Sequence, residues 1–262
     1  MVQTDIELKN VWFSYNGAAV LTDIDLAVEH NDFLAIIGPN GGGKTTLLKL
    51  ILGMLVPNRG TVRVFGEEPS MVAHRLGYVS QDTSFNIEFP ISAFDVVLMG
   101  RLGQRTHLRR YTGEDVKIAQ KALETVDIWD FCRERIGRLS SGQRQRVFIA
   151  RALATEPEIL ILDEPTASID MEGQSRIYEI LKDLNRNMTI IIVSHDYALT
   201  LGFARTVAHV NRTLHVHKSL DFTPEMLMKL SESSLKHICP VELIAQGYFQ
   251  MRKPSSRDNS HD

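Results

Sequence analysis

The chain has 262 residues, with 29 lysines and arginines against 32 aspartates and glutamates, for a formal net charge of -3. At 44% hydrophobic and 23% charged it can bury a full core, and its length predicts one large domain or two lobes. Near-balanced charge excludes a protein held to nucleic acid mainly by a basic surface, and no nucleic-acid partner is expected. Cys132 and Cys239 lie far apart, which excludes a disulfide framework and fits a reducing cytosolic setting. The most continuous apolar runs, Ile159–Leu162 and Ile190–Val193, are strand-length, far short of a membrane span. The first five residues lack the basic start and apolar stretch of a signal peptide.

In chain order, Ile6–Leu8 and Val11–Phe13 read as strands, followed by a turn at Asn16–Gly17. The apolar run Phe33–Ile37 suits a strand covered on both faces. A glycine-rich loop follows, then a helix with Leu47, Leu48, Ile51, Leu52 and Leu55 at helical spacing. Thr61–Phe65 and Leu76–Val79 read as further strands. From about 84 to 145 the texture changes to a mostly helical lobe, in which Val116, Ala119, Ala122, Leu123 and Val126 share one helical face. Strand-like Ile159–Leu162, a helix holding Ile177, Ile180, Leu181 and Leu184, and strand-like Thr189–Val193 restore an α/β alternation. The expected division is an α/β domain over 1–222, an extension over 223–250, and a disordered tail over 251–262.

Gly38, Pro39, Asn40, Gly41, Gly42, Gly43, Lys44, Thr45 and Thr46 match G-x-x-x-x-G-K-[ST], with a strand before and a helix after, the context such a match requires. The glycines let backbone N–H groups converge on phosphate oxygens beside a helix N-terminus. Lys44 can reach the β- and γ-phosphates, and the Thr45 hydroxyl can ligate Mg²⁺. The plainer alternative, a glycine-rich turn with a chance lysine, does not explain both flanks. The strand Ile159–Leu162 then ends in Asp163 and Glu164. Asp163 is placed to hold Mg²⁺ through water, and Glu164 to orient or deprotonate a water at the γ-phosphate.

Leu139-Ser140-Ser141-Gly142-Gln143 precedes a helical stretch from Arg144 to Leu153, so Ser140, Ser141 and Gly142 lie at a helix start. Lying before Asp163 in a chain with a phosphate loop, this run resembles the ABC signature LSGGQ, with Ser141 in place of the first glycine. Other residues fall where that family has its motifs. Tyr15 resembles the aromatic that stacks on adenine, and Gln81 the glutamine loop that also reaches Mg²⁺. Asp170 belongs to a D-loop-like run, and His195 resembles the switch histidine. Each has a plainer alternative, as a packing aromatic, a turn residue, a helix cap or a packed histidine.

The chain therefore resembles the ATP-binding subunits of ABC transporters from about Thr4 to Val216. That resemblance implies an ATPase with a P-loop NTPase fold: an N-terminal antiparallel β part, a RecA-like core and an inserted helical lobe. It implies ATP and Mg²⁺, with Glu164, His195 and Gln81 as catalytic groups. It also implies a homodimer or paired ATPase subunit, in which Ser140, Ser141, Gly142 and Gln143 act in trans on the partner's nucleotide. Transmembrane permease subunits, and indirectly a solute-binding protein, complete the system. The chain would then be cytoplasmic, peripheral on the inner face of the membrane. Phe89 to Arg101 and Cys239 to Ala245 are similar to stretches of metal and metal-chelate importers, implying zinc, manganese or iron as cargo. A soluble ABC ATPase of the iron–sulfur assembly type and an exporter ATPase are the alternatives. His209, His215 and His217 could share a metal, but solvated histidines on an edge strand are the favoured reading.

Overall fold

The computed structural model describes residues 3–81, 89–104, 110–167, 169–194, 200 and 202–218. Two sheets carry the fold. The first is antiparallel, in the order β2-β1-β4, built from β1 (Thr4–Tyr15), β2 (Ala18–Glu29) and β4 (Arg59–Val64). The hairpin turns at Asn16 and Gly17, both at positive φ, so the expected turn lies where those residue types place it. β1 and β2 run 12 residues each, longer than the short strands read from the sequence.

The second sheet has the order β5-β6-β7-β3-β8-β9. Its strands are β3 (Phe33–Ile37), β5 (Leu76–Val79), β6 (Ile159–Asp163), β7 (Thr189–Val193), β8 (Thr206–Asn211) and β9 (Thr213–Lys218). Neighbours are parallel except β9, which returns antiparallel to β8. All residues of β3, β6 and β7 are buried, which explains their unbroken apolar runs. Alternate residues feed two cores. Phe33, Ala35 and Ile37 join one face and Leu34 and Ile36 the other. The latter core is shared with the antiparallel sheet and with α1 (Lys44–Ile51).

α1 stops earlier than the leucine spacing predicts. Gly53 takes φ 71, its N–H donates to the Leu50 carbonyl, and the Met54 N–H donates to that of Lys49. These two bonds form a Schellman cap, so Leu52 is buried and Leu55 half-buried just beyond the helix.

After the one-turn α2 (Pro69–Val72) and β5, the described chain turns helical: α3 (Ala93–Leu98), α4 (Gly113–Thr125) and α5 (Ser141–Leu153). Thr112 and Asp115 cap α4 reciprocally, which fixes its start. Val96 and Val97 of α3, Ala119 and Leu123 of α4, and Val147 and Ile149 of α5 pack into the core that also takes Leu160 and Ile192 of the sheet. α6 (Met171–Leu184) covers the same face. The residues expected as extension and tail lie outside the described ones, as does Cys239.

Candidate functional site

β3 delivers its last residue, Ile37, directly into the loop 38–43. Gly38 has φ 146, and a Cβ there would sit 2.1 Å from the Val210 carbonyl oxygen, so only glycine lets the loop pass β8. Gly43 is the N-cap of α1 and supplies no side chain, so the first amides of that helix keep their donor capacity for an anion. The Lys44 ammonium, on a residue only 6% exposed, donates to the Gly38 and Pro39 carbonyls at 3.0 Å each. Burial lowers its pKa from the usual lysine value, and the charges of Glu164 and Asp163 oppose that shift.

Opposite the loop, β6 ends at Asp163 and the chain turns through Glu164, held at φ 51 with its N–H on the Val193 carbonyl at 2.9 Å. The turn separates the two acids. Asp163 faces the start of α1, where its Oδ2 accepts from the Thr45 hydroxyl at 3.2 Å. Burial of Tyr78 on the neighbouring strand raises its pKa, and the charge of Asp163 adds to the shift. Glu164 Oε2 accepts from the Gln81 amide at 2.7 Å.

One open cavity of about 520 Å³ joins these groups. Asn40, Gly41, Gly43, Lys44, Thr45 and Thr46 form one wall, and Gln81 and Glu164 another. Val20 adds an apolar wall that the sequence reading missed. It lies on the hairpin that carries Tyr15, which is 44% exposed and meets Phe13 edge-on at 4.8 Å. Thr45 and Asp163 supply a hydroxyl and a carboxylate, hard oxygen donors of the kind Mg²⁺ takes beside phosphates.

Ser140 caps α5 in a reciprocal pair with Gln143. Gln143 N donates to the serine Oγ at 3.2 Å, and Ser140 N donates to the glutamine Oε1 at 2.9 Å. Ser141 occupies the first helical position and is not among the residues of positive φ, so serine costs the backbone nothing where the signature has glycine. An added Cβ on Gly142 would lie 3.5 Å from Ile169, which precedes Asp170, the N-cap of α6. The starts of α5 and α6 are thus neighbours. None of Ser140, Ser141, Gly142 and Gln143 lines the cavity among the described residues. Ser168 and His195 lie outside the described residues.

His215 is exposed on the edge strand β9, opposite the half-buried His209 of β8, and His217 pairs with Val207. Among the described residues no group of three or more histidines, cysteines or acids could hold a metal. Among them, too, no helix is long and apolar enough to cross a membrane.

A glycine loop between a buried strand and an uncapped helix start, with a lysine behind it and a strand-end carboxylate facing its hydroxyl, defines a P-loop nucleoside-triphosphate site. Residues 21–167 match the family model for the ABC transporter. The chain is 44% identical over 207 residues to a probable metal transport system ATP-binding protein of Chlamydia pneumoniae, covering 77% of this chain and 83% of that protein. It is 39% identical over 214 residues to the zinc uptake system ATP-binding protein ZurA of Listeria innocua, covering 80% and 83%. Among solved structures it resembles the dimeric cassette MJ0796 in a post-hydrolysis state with ADP and phosphate. There the identity is 26% and the TM-score 0.70, over 83% of this chain and 100% of that one. The chain belongs to the ABC transporter ATP-binding family, and it is an ATPase.

Proposed function

We propose that the chain is the ATP-hydrolysing subunit of an ABC importer for a metal ion, zinc or manganese being the leading cargo. The observation that carries the site assignment is the single cavity joining the loop and helix start at 40–46 to Gln81 and Glu164. The loop amides and Lys44 bind the phosphates, Tyr15 and Val20 receive the adenine, and Thr45, Asp163 and Gln81 hold Mg²⁺. When bound, that ion neutralises charge on the β- and γ-phosphates. Glu164 accepts a proton from the attacking water, while His195 contacts the γ-phosphate.

The signature residues lie outside the chain's own cavity, which supports a head-to-tail pair in which Ser140 to Gln143 meet the partner's nucleotide and Asp170 approaches it. The cassette it resembles is dimeric, which supports a pair of chains. ATP then closes the pair and hydrolysis loosens it, and Gln81, leading into the helical lobe, passes this change to permease subunits. The chain sits on the cytoplasmic face of the membrane through them, and a solute-binding protein supplies the cargo. The metal reading rests on the relatives, two of which are named for metal or zinc transport.

The test is Glu164→Gln, which keeps size and loses basicity. ATP binding should persist while phosphate release falls about a hundredfold or more. Turnover at the wild-type rate would refute the assignment of Glu164. For cargo, cells lacking the chain should lose uptake of radioactive zinc or manganese. Unchanged uptake of both would reject the metal reading.

A further inference from the structure

β1 outruns one of its two neighbours. On one side β2 pairs with it to the end, Ser14 facing Ala19 and Tyr15 facing Ala18. On the other side β4 starts at Arg59, opposite Trp12, so the end of β1 from Phe13 to Tyr15 has no strand of β4 beside it. The register of that pair shifts between Lys9 and Trp12, where Asn10 and Val11 face the single residue Gly60 in a bulge. Gly60 takes φ 86, and a Cβ there would lie 2.1 Å from the Asn10 carbonyl oxygen, so glycine lets β4 start against the bulge. The bulge thereby sets where the residues just before β4 fall along β1.

Asn58 stands in for the missing strand. Its N–H donates to the Trp12 carbonyl at 2.8 Å. Its side-chain oxygen accepts the Ser14 N–H at 2.6 Å and the Ser14 hydroxyl at 3.0 Å. The amide must present its oxygen here, because its NH₂ group could not accept from a backbone donor. One exposed residue thus carries the hydrogen bonding of β1 past the start of β4. The next residue after Ser14 is Tyr15. Asn58 also closes the segment by which α1 returns to the sheet, so the element that opens at the phosphate loop and the strand that ends at Tyr15 are joined at this residue.

We propose that Asn58 is a positioning residue for the base of the nucleotide. By holding Trp12 and Ser14 it fixes the end of β1, and through it the placement of Tyr15 against adenine. The inference rests on the proposed function, in which Tyr15 receives that ring. Without the side-chain oxygen the end of β1 is paired on one side only, and Tyr15 must be ordered as the base binds, a cost that falls on affinity. The phosphates, held by the loop and Lys44, do not share that cost. Asn58 needs no contact with nucleotide, and it is not among the residues that line the cavity.

The test uses the full chain with Asn58→Ala, Asn58→Asp and Ser14→Ala, beside Tyr15→Ala as a reference. Each is titrated with ATP and with inorganic tripolyphosphate, which keeps the phosphates and lacks the base, both in Mg²⁺. Asn58→Ala should weaken ATP binding about threefold to tenfold, the scale of one or two lost hydrogen bonds, and raise the KM for ATP to match. Its tripolyphosphate affinity, and its kcat at saturating ATP, should stay within about twofold of wild type. Asn58→Asp, whose carboxylate accepts from both Ser14 donors, should restore ATP affinity. A merely structural role would weaken both ligands together or lower only the melting temperature, and either result overturns the inference. An aspartate variant no better than the alanine one overturns it too. If Asn58→Ala does not fold, Ser14→Ala, which removes one of the two bonds, decides alone. Its ATP affinity should fall about twofold to threefold, and a wild-type preference for ATP over tripolyphosphate overturns the proposal. Wild-type ATP affinity in Tyr15→Ala refutes the tyrosine's role and the inference with it, whereas an impaired Tyr15→Ala beside an unimpaired Asn58→Ala overturns the inference alone.

Discussion

Replacing Lys44 by methionine separates what the lysine does for the fold from what it does for the ligand. Methionine keeps most of the length and removes the charge. In the free protein the ammonium is nearly buried and bonded to two loop carbonyls, and burial already works against its protonated form. Losing it removes a desolvated charge, which favours folding, and two hydrogen bonds, which disfavours it. Pro39 is exposed, so water can take over at its carbonyl. These terms oppose each other at about 1–2 kcal/mol each, and the free variant should melt within a few degrees of wild type. With ATP the terms no longer cancel. Lys44 would make charge-assisted bonds to phosphate worth about 1.5–3 kcal/mol apiece, so losing two should weaken affinity at least a hundredfold. At ATP one hundred times the wild-type Kd, binding stabilises by about 2.7 kcal/mol, and with affinity down a hundredfold only by about 0.4 kcal/mol. For a chain of this size that is about 5–10 °C of ATP-induced shift falling to about 1 °C. Differential scanning fluorimetry with and without ATP reads both numbers. An undiminished ATP shift, or a free variant melting far below wild type, would refute the reasoning.

Two further substitutions probe the pair of chains and the lower end of the sheet. Ser140→Arg should leave ATP binding by one chain intact while stopping hydrolysis, and mixing it with Lys44→Met should restore part of the activity by forming one undamaged composite site. No recovery, together with a crosslink from residue 140 to the P-loop only within one chain, would reject the shared site. Glu158 accepts from Arg75 at 2.5 and 2.8 Å, and that bond holds its carboxyl below the ordinary 4.5. The pair is half exposed, so Glu158→Gln should cost about 0.2–1 kcal/mol at neutral pH. A lowered acid pKa contributes stability that is full above the ordinary value and is lost as pH falls through the lowered one. The gap between the two proteins should therefore narrow as pH falls below 4.5 and close once the lowered carboxyl is protonated, and a gap that widens on acidification contradicts the pairing.

Much of the fold was legible because period and context agreed. Buried parallel strands such as Ile159–Asp163 and Thr189–Val193 carry unbroken apolar runs, and the loop at 38–46 sits between a strand and a helix, as its motif requires. The misses have local causes. β2 is a full strand in which Ile24, Leu26 and Val28 alternate inward, but Asp23 and Asp25 interrupt the apolar signal, and Asp23 sits at positive φ. The leucines to Leu55 keep helical spacing past the end of α1, because Gly53 turns the backbone while the side chains still face the core. Val20 carries no motif and enters the cavity only through the fold of the hairpin. Nor could spacing reveal that the side chain of Asn58, far along the chain, accepts the Ser14 N–H just before Tyr15.

In the free chain, four of the side chains assigned to ATP already have an internal partner. Lys44 holds the carbonyls of its own loop, Thr45 the Asp163 carboxylate, Gln81 the Glu164 carboxylate, and Ser140 the Gln143 amide. Such partners are placeholders of the right polarity. Each internal bond contributes only about 0.5–1.5 kcal/mol net, while the bond to a charged ligand that replaces it contributes about 1.5–3 kcal/mol. Binding therefore exchanges bonds without passing through orphaned polar groups, and the cavity stays open without a ligand to prop it. The same economy restrains the chemistry. While the Gln81 amide donates to Glu164, one carboxylate oxygen is committed away from water. A Gln81 amide turned to hold the metal, its role in the proposed function, would leave Glu164 free to serve a water. The glutamine that leads into the helical lobe thus ties the readiness of the base to the presence of nucleotide, so a lone chain should bind ATP more readily than it turns it over.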